Sequence, residues 1–169
     1  MAKKDETAKP ATAPDFHWTP AMSVGVPELD EDHKGLIRVI NQLKENAEGG
    51  EPSEAALRQC LKALTRYAEV HFGREERVMS ACLFPGQPHH QEEHQVFVAR
   101  MKEVAERFEA DPKGLASYVA QELFAYLTTW LQHHIMLEDM AYRPFAEQRL
   151  TESREAARQF RPTQLWYSG

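Results

Sequence analysis

Cysteine is almost missing: Cys60 and Cys82 are the only two in 169 residues, and they form no CxxC pair. Two thiols so far apart give neither a disulfide framework nor a zinc knuckle, so free buried thiols are expected. No apolar run approaches the ~20 residues that span a bilayer. The opening stretch MAKKDETAKPATAPD carries lysine with no apolar segment behind it, so no secretory signal is expected either. Positive charge is short as well, with 20 Lys and Arg against 26 Asp and Glu, a formal net charge of −6, and no basic stripe with interleaved aromatics. Nucleic acid and membrane surfaces need a concentrated positive field, so neither is an expected partner, and a cytoplasmic protein is the default. Runs of β-branched residues are scarce beside Ala, Leu, Glu, Lys and Arg, a balance that favours an all-α chain.

Residues 1–15 are too polar and proline-rich to order themselves and read as a flexible tail. Phe16 and Trp18 add two aromatics expected to lie against the domain, and Asp30 or a neighbour is the expected cap of a first helix. Four helices follow. The first runs from about Asp30 to Glu48 and stops at Gly49-Gly50, with a stripe of His33, Leu36, Ile37, Ile40, Leu43 and Ala47. The second, capped by Ser53, continues to about Phe84 with Leu57, Leu61, Leu64, Ala68, His71, Glu75, Val78 and Cys82 inward. The third, from near Pro88 to Ala110, shows His90, His94, Phe97, Met101, Val104 and Phe108. The fourth starts after Pro112 and continues to about Arg143, where Pro144 would disturb it, with Leu123, Leu127, Trp130, Leu131, His134 and Glu138 on its face. Short connections between such helices predict an antiparallel up-down-up-down four-helix bundle over residues 16–147. Residues 148–169 form an extension: an amphipathic start from Leu150 to Phe160, able to pack as a short helix, then Trp166 and Tyr167, able to dock on a partner.

Every one of the four stripes carries histidine. His71 and Glu75, four apart on one helix, converge on one point, although such a pair on an exposed helix is usually just solvated. Five imidazoles among aliphatics are another matter: buried without a shared partner, each would cost about 1–3 kcal/mol. A common ion on the bundle axis removes that cost, and the H-x-x-x-H pair His90 and His94 is a suitable clamp. The set is too large for one tetrahedral zinc, whereas imidazole with carboxylate suits iron. Glu75 can bridge two ions, and Asp139 or Glu138 can supply a second bridge. With an oxide or hydroxide added, two octahedral ions would be filled except at one position.

The segments SVGVPELDEDHK around His33, HFGREERVM around His71, HQEEH at His90–His94 and WLQHHIMLEDMAYRPF around His134 resemble, in order and spacing, the hemerythrins, above all the bacterial ones. The resemblance spans about Trp18 to Phe145. It implies a non-haem di-iron centre that binds O2 reversibly, with His90, His94 and His134 on the filled iron and His33 with His71 on the open one. Glu75 and Asp139 would be the bridges. His134 is preferred over His133 by the W-L-x-x-H-I pattern, and His90 over His89 because His94 lies four residues on. Asp139 is the harder assignment, since five residues past His134 leaves it about 140° round an ideal helix, whereas Glu138 falls on the stripe. The family pattern H-I-x-x-x-D favours Asp139, which predicts a local π-like widening that turns it inward.

The same resemblance implies O2, or a small anion such as azide, at the open iron. Phe72, Phe97, Leu131, Ile37 and Trp130 are candidates for a dry wall. No spare inward-facing Asp, Glu or Lys stands beside the site apart from Glu138, and an apolar pocket without a proton relay favours release of O2 over its reduction. An oxygen-binding protein for carriage, storage or sensing is therefore expected rather than an enzyme. The alternatives are a peroxidase-like or nitric-oxide-handling di-iron enzyme, or a redox-responsive module acting on a protein partner through its tails.

Overall fold

The structure, a computed structural model, describes residues 15–48 and 53–160. Among these residues every regular element is helical and there is no strand. After a 3-10 turn at Pro20–Met22 come α1 (Pro27–Glu48) and α2 (Glu54–Tyr67), which leads through a π-helical turn at Ala68–Phe72 into α3 (Gly73–Ala81). Then follow α4 (Gln87–Ala110) and α5 (Pro112–His133). A second π-helical turn at His134–Asp139 joins α5 to α6 (Met140–Gln148), and α7 (Leu150–Gln159) closes the described chain. The expected punctuation is visible at two caps. Ser53 accepts from the Ala56 N–H, and Asp111 accepts from the Gly114 N–H. Proline stands in the first turn of α4 and of α5.

Three boundaries differ from expectation. α1 begins at Pro27, ahead of Asp30, because proline is preset for the first helical turn; Asp30 instead accepts from the Val24 N–H and the Ser23 hydroxyl, pinning the entry turn. The second rod ends at Ala81 rather than Phe84, where Leu83 turns left-handed at φ 59° and the Phe84 N–H reaches back to the Met79 carbonyl. Pro144 does not end the fourth rod, which runs on to Gln148. Burial of Tyr142 and Ala146 on either side of it offsets the missing N–H. The amphipathic start of the extension, read as able to pack as a short helix, forms α7, which packs closely on α3 and touches α1, with Ser153 and Ala157 buried.

The core comes in two parts. The larger joins Leu36, Ile40, Leu43, Leu57, Leu64, Phe97, Phe108, Leu123 and Leu127 between α1, α2, α4 and α5, with Phe16 and Trp18 packed against it as expected. The smaller joins Val24, Val26, Leu29, Val78, Met79, Cys82, Tyr142, Ala146 and Ala157. Cys60 and Cys82 are free and buried. Ala47, residues 1–14 and the Trp166-Tyr167 segment lie outside what is described. No helix among the described residues is long and apolar enough to cross a membrane.

Candidate metal centre

His33, His71, Glu75, His90, His94, His134 and Asp139 are all buried, none more than 2% exposed, in a protein whose other titratable groups lie mostly at the surface. α1 brings His33, the first π-helical turn His71, α3 Glu75, α4 the His90–His94 pair, and the second π-helical turn both His134 and Asp139. The widened turn does what an α-helix cannot. One more residue per turn returns Asp139 to the face of His134, while Glu138 is directed outward, 3.5 Å from the exposed His133. The expected place of Glu138 on the inward face is therefore corrected. His89 likewise lies outside, 3.9 Å from Glu92.

The side chains form two overlapping groups. The ligand atoms of Glu75, His90, His94 and His134 lie within 4.8 Å of one another, and so do those of His33, His71 and Glu75. Glu75 Oε2 is 3.0 Å from His94 Nε2, 3.3 Å from His90 Nε2, 3.6 Å from His71 Nε2 and 3.7 Å from His134 Nε2. Asp139 stands between the groups, with Oδ2 3.2 Å from His33 Nε2 and Oδ1 3.2 Å from His134 Nε2. These atoms are close, yet His33 Nε2, His71 Nε2 and both Asp139 oxygens have no aligned hydrogen-bond partner among the described residues. Buried polar atoms are seldom left so. They converge on common points instead of on each other, which is the arrangement that suits cations.

Electrostatics agree. Burial pushes the Glu75 carboxyl up, but His71, His134, His90 and His94 more than offset it and hold it well below its usual range. Asp139 is driven well up by burial and by the charge of Glu75. Two carboxylates facing each other cannot both be comfortable as anions, and cations between them would relieve the conflict. Burial lowers His33 and His71, and takes His134 down to about 3, keeping these three imidazoles in the neutral form that binds metal, whereas Glu75 outweighs burial at His90 and, with Glu76, at His94, and raises both.

A family model, the hemerythrin HHE cation binding domain, matches residues 24–146. The chain belongs to the hemerythrin family. Similar proteins include a bacteriohemerythrin of Pseudomonas aeruginosa, 30% identical over 125 residues that cover 74% of this chain and 77% of that protein. A hemerythrin-like protein of Naegleria gruberi is 30% identical over 128 residues, covering 76% of this chain and 91% of its own length. A myohemerythrin of Riftia pachyptila is 29% identical over the same shares.

Several residues around this hemerythrin site escaped the sequence reading. The Tyr142 hydroxyl donates to Glu75 Oε1 at 2.8 Å. Glu76 contacts His94 Nδ1 at 3.0 Å and accepts from the Gln91 amide, and Asp32, bonded to Arg74, stands 3.4 Å from His71 Nδ1. Carboxylates on outer ring nitrogens orient imidazoles, and both are chain neighbours of predicted site residues, a signal that was available. The apolar wall is ring-on-ring: Phe72 stacks on His94 at 3.8 Å and Trp130 on His134 at 4.3 Å. Phe97 and Leu131 are fully buried behind them.

Proposed function

We propose that this chain binds O2 reversibly at a pair of iron ions held by these seven side chains. His90, His94 and His134 would hold one ion and His33 with His71 the other, with Glu75, Asp139 and an oxide or hydroxide shared between them. The observation that carries this reading is the pair of donor groups that overlap at Glu75. A single ion needs one such group, whereas two ions need two with a common carboxylate. When bound, two irons would supply the electrons that O2 takes up on binding and gives back on release.

The protein's own part is binding, orientation and exclusion of water. Phe72, Phe97, Trp130, Leu131 and Ile37 line the donors with apolar surface, which favours a neutral diatomic. The nearby acids are engaged, Glu76 by His94 and Gln91, Asp32 by Arg74 and His71, so neither is free to deliver protons for cleavage of the O–O bond. The fold that serves this function is an up-down-up-down bundle of four rods over residues 16–147, with α7 of the 148–169 extension laid against it. The reading is tested by the optical spectrum of anaerobically reduced protein before O2, after O2 and after deoxygenation. A visible band that comes and goes supports carriage or sensing, and steady O2 consumption in the presence of a reductant supports the enzyme alternative instead.

A further inference from the structure

Tyr67 is the last residue of α2, one turn before His71. Its ring lies parallel to the His71 imidazole, with centroids 4.6 Å apart and 19° between the planes. Stacking of this kind needs only the ring, and phenylalanine would serve it equally well. The hydroxyl is the surplus: it is buried and has no hydrogen-bond partner among the described residues. The Tyr142 hydroxyl, by contrast, is matched to Glu75. A buried hydroxyl left unpaired is unfavourable, and one on a ring stacked against a site imidazole is placed to meet a partner that comes and goes.

A further observation says where that partner would be. Tyr67 and His71 line one cleft between α1 and the first π-helical turn, together with Leu36, Val70 and Asp32. The fully buried His71, one member of the His33–His71 half of the site, lies at the inner end of this cleft, with Asp32 3.4 Å from its outer nitrogen.

We propose that Tyr67 is a ligand-positioning residue, whose hydroxyl donates a hydrogen bond to a small anion or diatomic held on the His33–His71 side of the centre. This rests on the metal reading above and adds to it a polar contact in an otherwise apolar pocket. The hydrogen bond would slow ligand loss and favour ligands that carry negative charge on the atom facing the phenol, because bonds to charged acceptors are the stronger kind.

The test uses the full chain loaded with iron and oxidised, with azide as probe, in wild type, Tyr67→Phe and Tyr126→Phe. Tyr126 also carries a buried, unpartnered hydroxyl, but its ring neighbour is Phe97 rather than a site imidazole, which makes it the control. Tyr67→Phe is expected to weaken azide about tenfold and to abolish the D2O-induced shift of the bound azide stretch. Tyr126→Phe should stay within about twofold of wild type with its shift intact. In the metal-free protein, Tyr67→Phe should melt at the same temperature as wild type or higher. Unchanged azide affinity and an unchanged shift in a Tyr67→Phe protein that holds its metal would overturn the Tyr67 assignment alone. So would a clear drop in its metal-free melting temperature, since the hydroxyl would then have a structural partner. Failure of all three proteins to hold iron would instead sink the metal reading, and this inference with it.

Discussion

Replacing Glu75 by alanine strikes the one carboxylate common to both donor groups, and its cost can be worked from the metal-free site. Glu75 Oε1 accepts from Tyr142, and Oε2 sits 3.0 Å from His94 Nε2. Burial lowers His94, but the hydrogen bonds of Glu75 and Glu76 override it and raise the ring to about 9, so an ion pair is buried here at neutral pH. Without Glu75 the His94 ring loses most of this support, and giving up its proton at pH 7 costs about 3 kcal/mol. The stranded Tyr142 hydroxyl adds about 1–3 kcal/mol, while Glu76 retains part of the pairing, so a net loss of roughly 3–5 kcal/mol is expected. For a chain of this size that is a fall in melting temperature of about 10 °C. Thermal unfolding of the metal-free protein followed by circular dichroism reads it, and metal content measured on the loaded variant should fall as well. Glu75→Gln, which keeps an acceptor for Tyr142 but no charge, should lose less stability. A Glu75→Ala protein melting within about 2 °C of wild type, and still holding its metal, would refute the reasoning.

Three other outcomes follow from the same geometry. His94 is raised from 6.5 to about 9 in the folded, metal-free protein, so its contribution to stability is complete below pH 6.5 and is lost as pH rises through about 9. The same proton competes with metal, so iron uptake at pH 7 should release it and affinity should climb with pH to about 9, as a pH-indicator titration would show. A Cβ on Gly73 would stand 2.6 Å from Phe160 Cζ, so Gly73→Ala should gain less in denaturant unfolding than the ~1 kcal/mol alanine brings over glycine in a helix and recover that gain in a Phe160→Ala background, and an equal effect in both backgrounds would rule that contact out. Leu83, left-handed at φ 59° and 64% exposed, should gain about 1 kcal/mol when replaced by glycine, and a loss in the same assay would show that its side chain is needed.

Much of this architecture was legible in the chain because apolar periodicity and caps act locally. The stripe from Leu57 through His71 and Glu75 to Cys82 repeats at helical spacing, and every member is buried. What escaped depended on departures from that spacing or on contacts far along the chain. An ideal helix sends Asp139 away from His134, and only the H-I-x-x-x-D pattern, not periodicity, pointed to the widened turn found there. The companion turn at Ala68–Phe72 was not foreseen at all, since the stripe reads through it without a break. Tyr142 meets Glu75 across 67 positions, and Phe160 lies against Gly73 from just past the end of α7. Nothing local marks such pairings. Glu138 misled for the opposite reason: it fitted the helical rule, and the rule does not hold in a π-helical turn.

The most direct test of the central claim is the iron content of the purified full chain produced with ample iron. Two overlapping donor groups predict about two iron atoms per chain, falling steeply in Glu75→Ala. Iron near zero, or a single zinc ion per chain that is indifferent to Glu75, would contradict it.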